Sequence, residues 1–129
     1  MEAPATTRLV IVEDNEVFRE ALELLLGLEP DVEIVASVAD GESALAGAGE
    51  WAPDVFVVDY RLPDMDGVET ISRLQEVDPS MRLIVLTAGA SPAEVEALLA
   101  AGASRCLRKD VNFADIVTAI RESPASPAG

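Results

Sequence analysis

Short apolar runs return five times along this chain, and each is followed by a segment with helical spacing: LVIV at 9–12, VEIVASV at 32–38, VFVV at 55–58, LIVL at 83–86 and the weaker RCL at 105–107. LVIV, VFVV and LIVL are continuously apolar rather than alternating, which is what strands covered on both faces of a parallel sheet require. Strict strand–helix alternation with right-handed crossovers leaves helices on both faces of a mostly parallel sheet. The expectation is an α/β fold, a doubly wound (βα)5 domain with five parallel strands.

The segments between the runs carry helix punctuation. The first helix is predicted to start near Asn15, to put Phe18, Ala21, Leu22 and Leu25 on one face and to end around Gly27. The second spans GESALAGAG, and the third carries Val68, Ile71 and Leu74. The fourth carries Val95, Leu98 and Leu99, with Ser91 as N-cap, Pro92 at the first helical position, Glu94 completing a capping box and Gly102 closing the helix. The fifth places Phe113, Ile116, Val117 and Ile120 on one face behind Asn112 as cap. In the LPDMDG turn, Asp64 and Asp66 shape the chain, Pro63 sets one dihedral and Gly67 permits an unusual one.

At 129 residues the chain has room for one domain. Nine basic against 24 acidic residues give a net charge of -15 with no Lys/Arg cluster, so neither direct nucleic-acid binding nor an anionic membrane suits this segment. The single cysteine, Cys106, excludes an internal disulfide, MEAPATTR lacks the form of a secretion signal, and no apolar run approaches a membrane span. A cytoplasmic setting is expected. Histidine is absent, which removes the commonest general base and zinc ligand and leaves carboxylates, hydroxyls and lysine.

In doubly wound folds, ligands sit outside the carboxyl ends of the strands. Glu13 and Asp14 follow the first run, Asp59 the third, Thr87 the fourth and Lys109 the fifth. Each has an ordinary reading alone: Asp14 as a helix cap, Thr87 as a turn hydroxyl, Lys109 as a solvated charge. Their coincidence on one rim argues for a site. Two carboxylates about 4 Å apart repel by roughly 4 kcal/mol at an effective dielectric of 20, a penalty that a divalent ion relieves. Two or three carboxylates with open positions suit Mg²⁺ completed by a phosphoryl oxygen, which Lys109 and Thr87 could also meet. Asp59 is then the candidate nucleophile, able to form an acyl phosphate.

At these residues the chain resembles the receiver domain of two-component response regulators. The resemblance covers residues 8–122 and rests on VEDNE, VVDYRLPDMDG, VLTAG and CLRKD taken together. It implies a flavodoxin-like strand order, 2-1-3-4-5. It further implies that Asp59 accepts the phosphoryl group, that Glu13, Asp14, Asp59 and the Arg61 backbone carbonyl hold Mg²⁺ (or Mn²⁺), and that Thr87 is the switch hydroxyl and Lys109 the phosphate lysine. The donor would be a phosphohistidine on a cognate histidine kinase, or a small donor such as acetyl phosphate. Phosphorylation would switch the face formed by the fourth helix, fifth strand and fifth helix, with homodimerisation as one outcome. Arg61 and Gly89 would tune the acyl-phosphate lifetime, and Asn15, Phe18 and Arg19 would face the kinase.

GASRCLRKD followed by FADIVTAIRES is most similar to the NarL/LuxR-type subgroup, whose receivers precede a helix-turn-helix output. Residues 1–7 are expected to be disordered and SPASPAG, 123–129, to be a linker or frayed tail, so a receiver fragment and a stand-alone receiver both stay open. Two positions depart from the family pattern. Cys106 stands where an aromatic switch residue is usual, and Asp110 replaces a frequent proline after Lys109, so a trans bond is expected there. An aspartate-nucleophile phosphatase would need a second aspartate two residues after the first, where Arg61 stands, and a flavin binder would need a Ser/Thr/Gly-rich loop in place of VEDNEVF. A receiver that acts through partners without being phosphorylated is a third alternative.

Overall fold

In the computed structural model, which describes residues 6–122, strands and helices alternate without exception. They are β1 (Thr7–Val12), α1 (Glu16–Gly27), β2 (Val32–Val38), α2 (Gly41–Trp51), β3 (Val55–Asp59), α3 (Gly67–Val77), β4 (Arg82–Thr87), α4 (Pro92–Ala101), β5 (Arg105–Arg108) and α5 (Phe113–Arg121). All strand pairs are parallel, in the order β2-β1-β3-β4-β5. The three continuously apolar runs are the three interior strands, and β2 and β5 are the edges.

Because side chains alternate across a strand, the interior strands feed two cores. Val10, Val12, Phe56, Val58, Leu83 and Val85 pack with Ala44, Ile71, Leu74 and Leu98 on one face. Leu9, Ile11, Val55, Val57, Ile84 and Leu86 pack with Leu22, Leu26, Ile116, Val117 and Ile120 on the other. A run apolar at every position is thus one strand serving two layers.

Several local expectations change. The buried stripe of α1 is Leu22 with Leu26, and Leu25 is 40% exposed; Leu99 on α4 is 46% exposed. Helices that touch the sheet along a narrow stripe bury fewer positions than the apolar pattern offers. Asn112 precedes α5 but makes no side-chain cap bond. Gly67 keeps a negative φ and is glycine for want of space: a Cβ would lie 2.5 Å from Cδ1 of Tyr60. Gly102, which closes α4, has the positive φ, 123°. Thr7, inside the stretch expected to be disordered, belongs to β1 and donates its N–H to Asp31 O at 2.9 Å. The expectations for residues 1–5 and 123–129 lie outside the described residues.

The Ser91–Glu94 capping box is present, and no cis peptide bond occurs among the described residues, so Lys109–Asp110 is trans as expected. Asp66 caps α3, accepting from Glu69 N at 2.9 Å. Asp64 acts at longer range, accepting from the Gly41 and Glu42 amides at 2.9 Å each and so pinning the β3–α3 turn to the first turn of α2.

Candidate functional site

Register brings the polar residues together. Val12 pairs with Val58, so Glu13 emerges beside Asp59 where β1 and β3 end; Thr87 pairs with Arg108, so Lys109 follows beside Thr87, its N–H bonded to Thr87 O at 2.8 Å. Strand order reverses between β1 and β3, the crevice where open α/β sheets bind ligands.

The three acids differ in setting. Glu13 is 1% and Asp59 6% exposed, whereas Asp14 faces solvent. Asp14 is free of the capping duty, because Asn15 caps α1 by accepting from Phe18 N at 2.9 Å. Glu13, Asp14 and Asp59 each offer a carboxylate oxygen within 4.8 Å of the others. The Lys109 Nζ sits 2.9 Å from Glu13 Oε1 and 3.3 Å from Asp59 Oδ1. The buried Glu13 Oε1 therefore has the Lys109 ammonium as its partner, and the same ammonium is shared with Asp59.

Burial, and next the charge of Glu13, push the Asp59 carboxyl up to about 7, against the smaller opposing pull of Lys109. Burial by itself would lower Lys109, but its bond to Glu13 and the charge of Asp59 outweigh that and raise it, so the ammonium stays charged. One lysine therefore does not neutralise three acids. Three hard oxygen ligands, two of them buried and together carrying more negative charge than one ammonium offsets, fit a small divalent cation.

Arg61 donates its N–H to Asp59 Oδ1 at 3.3 Å, and its guanidinium lies over the Tyr60 ring. Gly89 donates its N–H to Thr87 Oγ1 at 3.0 Å, and the space a side chain would enter there is open. Cys106 is half-buried on β5, and burial pushes its thiol up. The residues expected to face a kinase also build the site: Asn15 N–H bonds Glu13 Oε2 at 3.0 Å, Arg19 Nη1 bonds Glu13 O at 2.9 Å, and the Phe18 ring centroid is 4.8 Å from the Lys109 Nζ. Sequence reasoning had no signal for the Phe18–Lys109 contact or for the Asp64 cap, since each joins residues far apart in the chain. The capping-box pattern pointed to Glu94, but not to the bond its second oxygen accepts from Tyr60.

Comparison with known proteins identifies the chain's relatives. Among curated proteins, the chain is similar to the transcriptional regulatory protein DegU of Brevibacillus brevis, 32% identical over 114 residues, covering 88% of this chain and 48% of DegU. It is 31% identical over 118 residues to the response regulator protein VraR of Staphylococcus aureus, covering 92% of this chain and 56% of VraR. The chain thus spans about half the length of these relatives. Among solved structures it superposes on the signal receiver domain of the response regulator NarL from Mycobacterium tuberculosis with a TM-score of 0.85 and 33% identity, covering 91% of this chain and 94% of that one. No helix among the described residues is long and apolar enough to cross a membrane. Residues 9–121 match the response regulator receiver domain, and the chain belongs to that family, in its NarL/LuxR-type branch.

Proposed function

We propose that this domain is a phosphoacceptor switch in which Asp59 receives a phosphoryl group from the phosphohistidine of a cognate histidine kinase, or from a small donor such as acetyl phosphate. The convergence of Glu13, Asp14 and Asp59 opposite Lys109 carries this reading. An Asp59 carboxylate oxygen attacks phosphorus as the P–N bond to the donor imidazole breaks. The bonding pair leaves with the nitrogen, which takes a proton from solvent, and the product is an acyl phosphate. Lys109, held charged, meets one phosphoryl oxygen, and the Thr87 hydroxyl, whose Oγ1 already accepts from Gly89, donates to another.

Glu13, Asp14, Asp59 and the Arg61 carbonyl would hold the cation. Bound Mg²⁺, or Mn²⁺, would offset the clustered carboxylates and draw charge from the phosphoryl oxygens. At neutral pH the Asp59 carboxyl, pushed up to about 7, is partly protonated, so an added positive charge would also favour its nucleophilic form.

Movement of Thr87 toward the phosphoryl group would shift α4, β5 and α5, and a partner reads the new face; a second phosphorylated copy is one such partner. Phe18 and Arg19 lie on α1, the helix proposed to meet the kinase, and Asn15 caps it, while Arg61 and Gly89 would govern access of water to the acyl phosphate. The whole protein is proposed to couple this switch to a LuxR-type DNA-binding output, in keeping with the greater length of the relatives.

The test is intact-mass analysis after incubation with acetyl phosphate and Mg²⁺. Wild type should gain one phosphoryl group, whereas Asp59→Asn and a metal-free sample should gain none. An adduct of equal yield on Asp59→Asn would remove Asp59 from the mechanism.

A further inference from the structure

The first turn of α4 is held from two sides. Within the helix, Ser91 N donates to Glu94 Oε1 at 2.8 Å, and Glu94 N donates to Ser91 Oγ at 3.2 Å. From outside, the Tyr60 hydroxyl donates to the remaining oxygen, Glu94 Oε2, at 2.9 Å. Both oxygens of Glu94 are thereby engaged, one closing the cap and one reaching the residue next to Asp59.

The Tyr60 ring has little freedom. Gly67 packs against it so closely that a methyl group there would overlap the ring, the Arg61 guanidinium covers it at 5.6 Å from the centroid, and the Tyr60 N–H is bonded to Leu86 O at 2.9 Å. α4 begins only a short loop beyond Thr87, after Ser91. A helix displaced along with Thr87 would have to release the Tyr60 hydroxyl, since the ring is fixed to β3. At Cys106, β5 carries no ring, which leaves Tyr60 as the aromatic side chain joining the strand of Asp59 to α4.

We propose that Tyr60 and Glu94 are positioning residues forming a latch, which keeps α4 in its resting place while Asp59 is unphosphorylated and parts when Thr87 moves toward the phosphoryl group. This rests on the reading of Asp59 as acceptor and Thr87 as the moving hydroxyl. The latch lowers the population of the phosphorylation-competent arrangement, and removing the hydroxyl releases that population.

The experiment uses Tyr60→Phe, Glu94→Ala and the double variant, with two readouts on each protein: amide exchange at Ser91 and Val95 without donor, and the rate of acyl-phosphate formation from acetyl phosphate with Mg²⁺. Tyr60→Phe is expected to accelerate both by about threefold to tenfold, the range that one hydrogen bond supplies. The double variant should be no faster than Glu94→Ala alone, because the two residues share one interaction. Thermal unfolding of the same proteins separates a merely structural bond, whose loss lowers the midpoint without raising the rate. Wild-type exchange and rate in Tyr60→Phe, a slower rate, or single effects that multiply in the double variant would each overturn the latch. If neither wild type nor variants take up a phosphoryl group, the reading of Asp59 falls, and exchange alone decides whether Tyr60 restrains α4.

Discussion

The two ends of the sheet treat charge in opposite ways. At the end where the strands begin, every arginine has a settled partner. Arg82, 8% exposed, donates from Nη1 to Ala119 O at 3.2 Å and from Nη2 to Ile120 O at 2.8 Å, closing the last turn of α5. Arg8 donates to Trp51 O at 2.7 Å, and Arg121 holds Asp31 through two bonds of 2.7 and 2.8 Å. Cations there also meet the negative ends of helix dipoles. Where the strands finish, Glu13 and Asp59 are buried beside each other with Asp14 close by, and one lysine serves both buried acids. One end is completed as structure. The other is left electrostatically incomplete, as the proposed binding of a cation and a phosphoryl group requires.

The comparison can be broken first at the paired end. Arg82→Met leaves the Ala119 and Ile120 carbonyls without their donor and should cost about 3 kcal/mol in urea unfolding, with Mg²⁺ affinity unchanged. A loss below about 0.5 kcal/mol would mean that water already serves those carbonyls, and that the two ends do not differ in this respect.

At the unfinished end, removing an acid should stabilise. The native Asp59 carboxyl holds a proton up to about 7, whereas an unfolded aspartate releases it near 3.8. The native state therefore binds more protons in that window, and metal-free stability falls as pH rises from about 4 to about 7. Asp59→Asn should flatten this slope and stabilise the metal-free protein at pH 8 by about 2 kcal/mol, allowing for the solvent that reaches the rim. Saturating Mg²⁺ should reverse the order by stabilising wild type more than the variant. A pH profile identical in the two proteins would show that the acids are not in conflict.

The smallest effect tests whether the paired end is fully relaxed. Ala52, the C-cap of α2, has φ 48° and ψ 56°, a left-handed conformation that glycine adopts without strain. Ala52→Gly should add about 0.5 kcal/mol of stability, read from the urea midpoint, and leave metal binding as it was. A decrease would place the greater entropy loss of glycine above the relief of strain.

The sequence by itself determined the element order, the buried middle strands and the five polar residues at strand ends, because each depends on local periodicity and on the residue type just past an apolar run. It also carried the Ser91–Glu94 cap, which is closed within four residues. Only the tertiary structure decided that Glu13 is buried and Asp14 exposed, that Leu25 and Leu99 face solvent, that Gly67 is small because Tyr60 leans on it, and that Asp64 caps α2. Arg82 stands just before the apolar run LIVL, and only packing makes it the donor that closes a helix 37 residues away. The physical reason is common to these cases. Burial and hydrogen-bond partnership depend on which elements pack together, and a one-dimensional pattern shows which face of an element is apolar but not what lies against it.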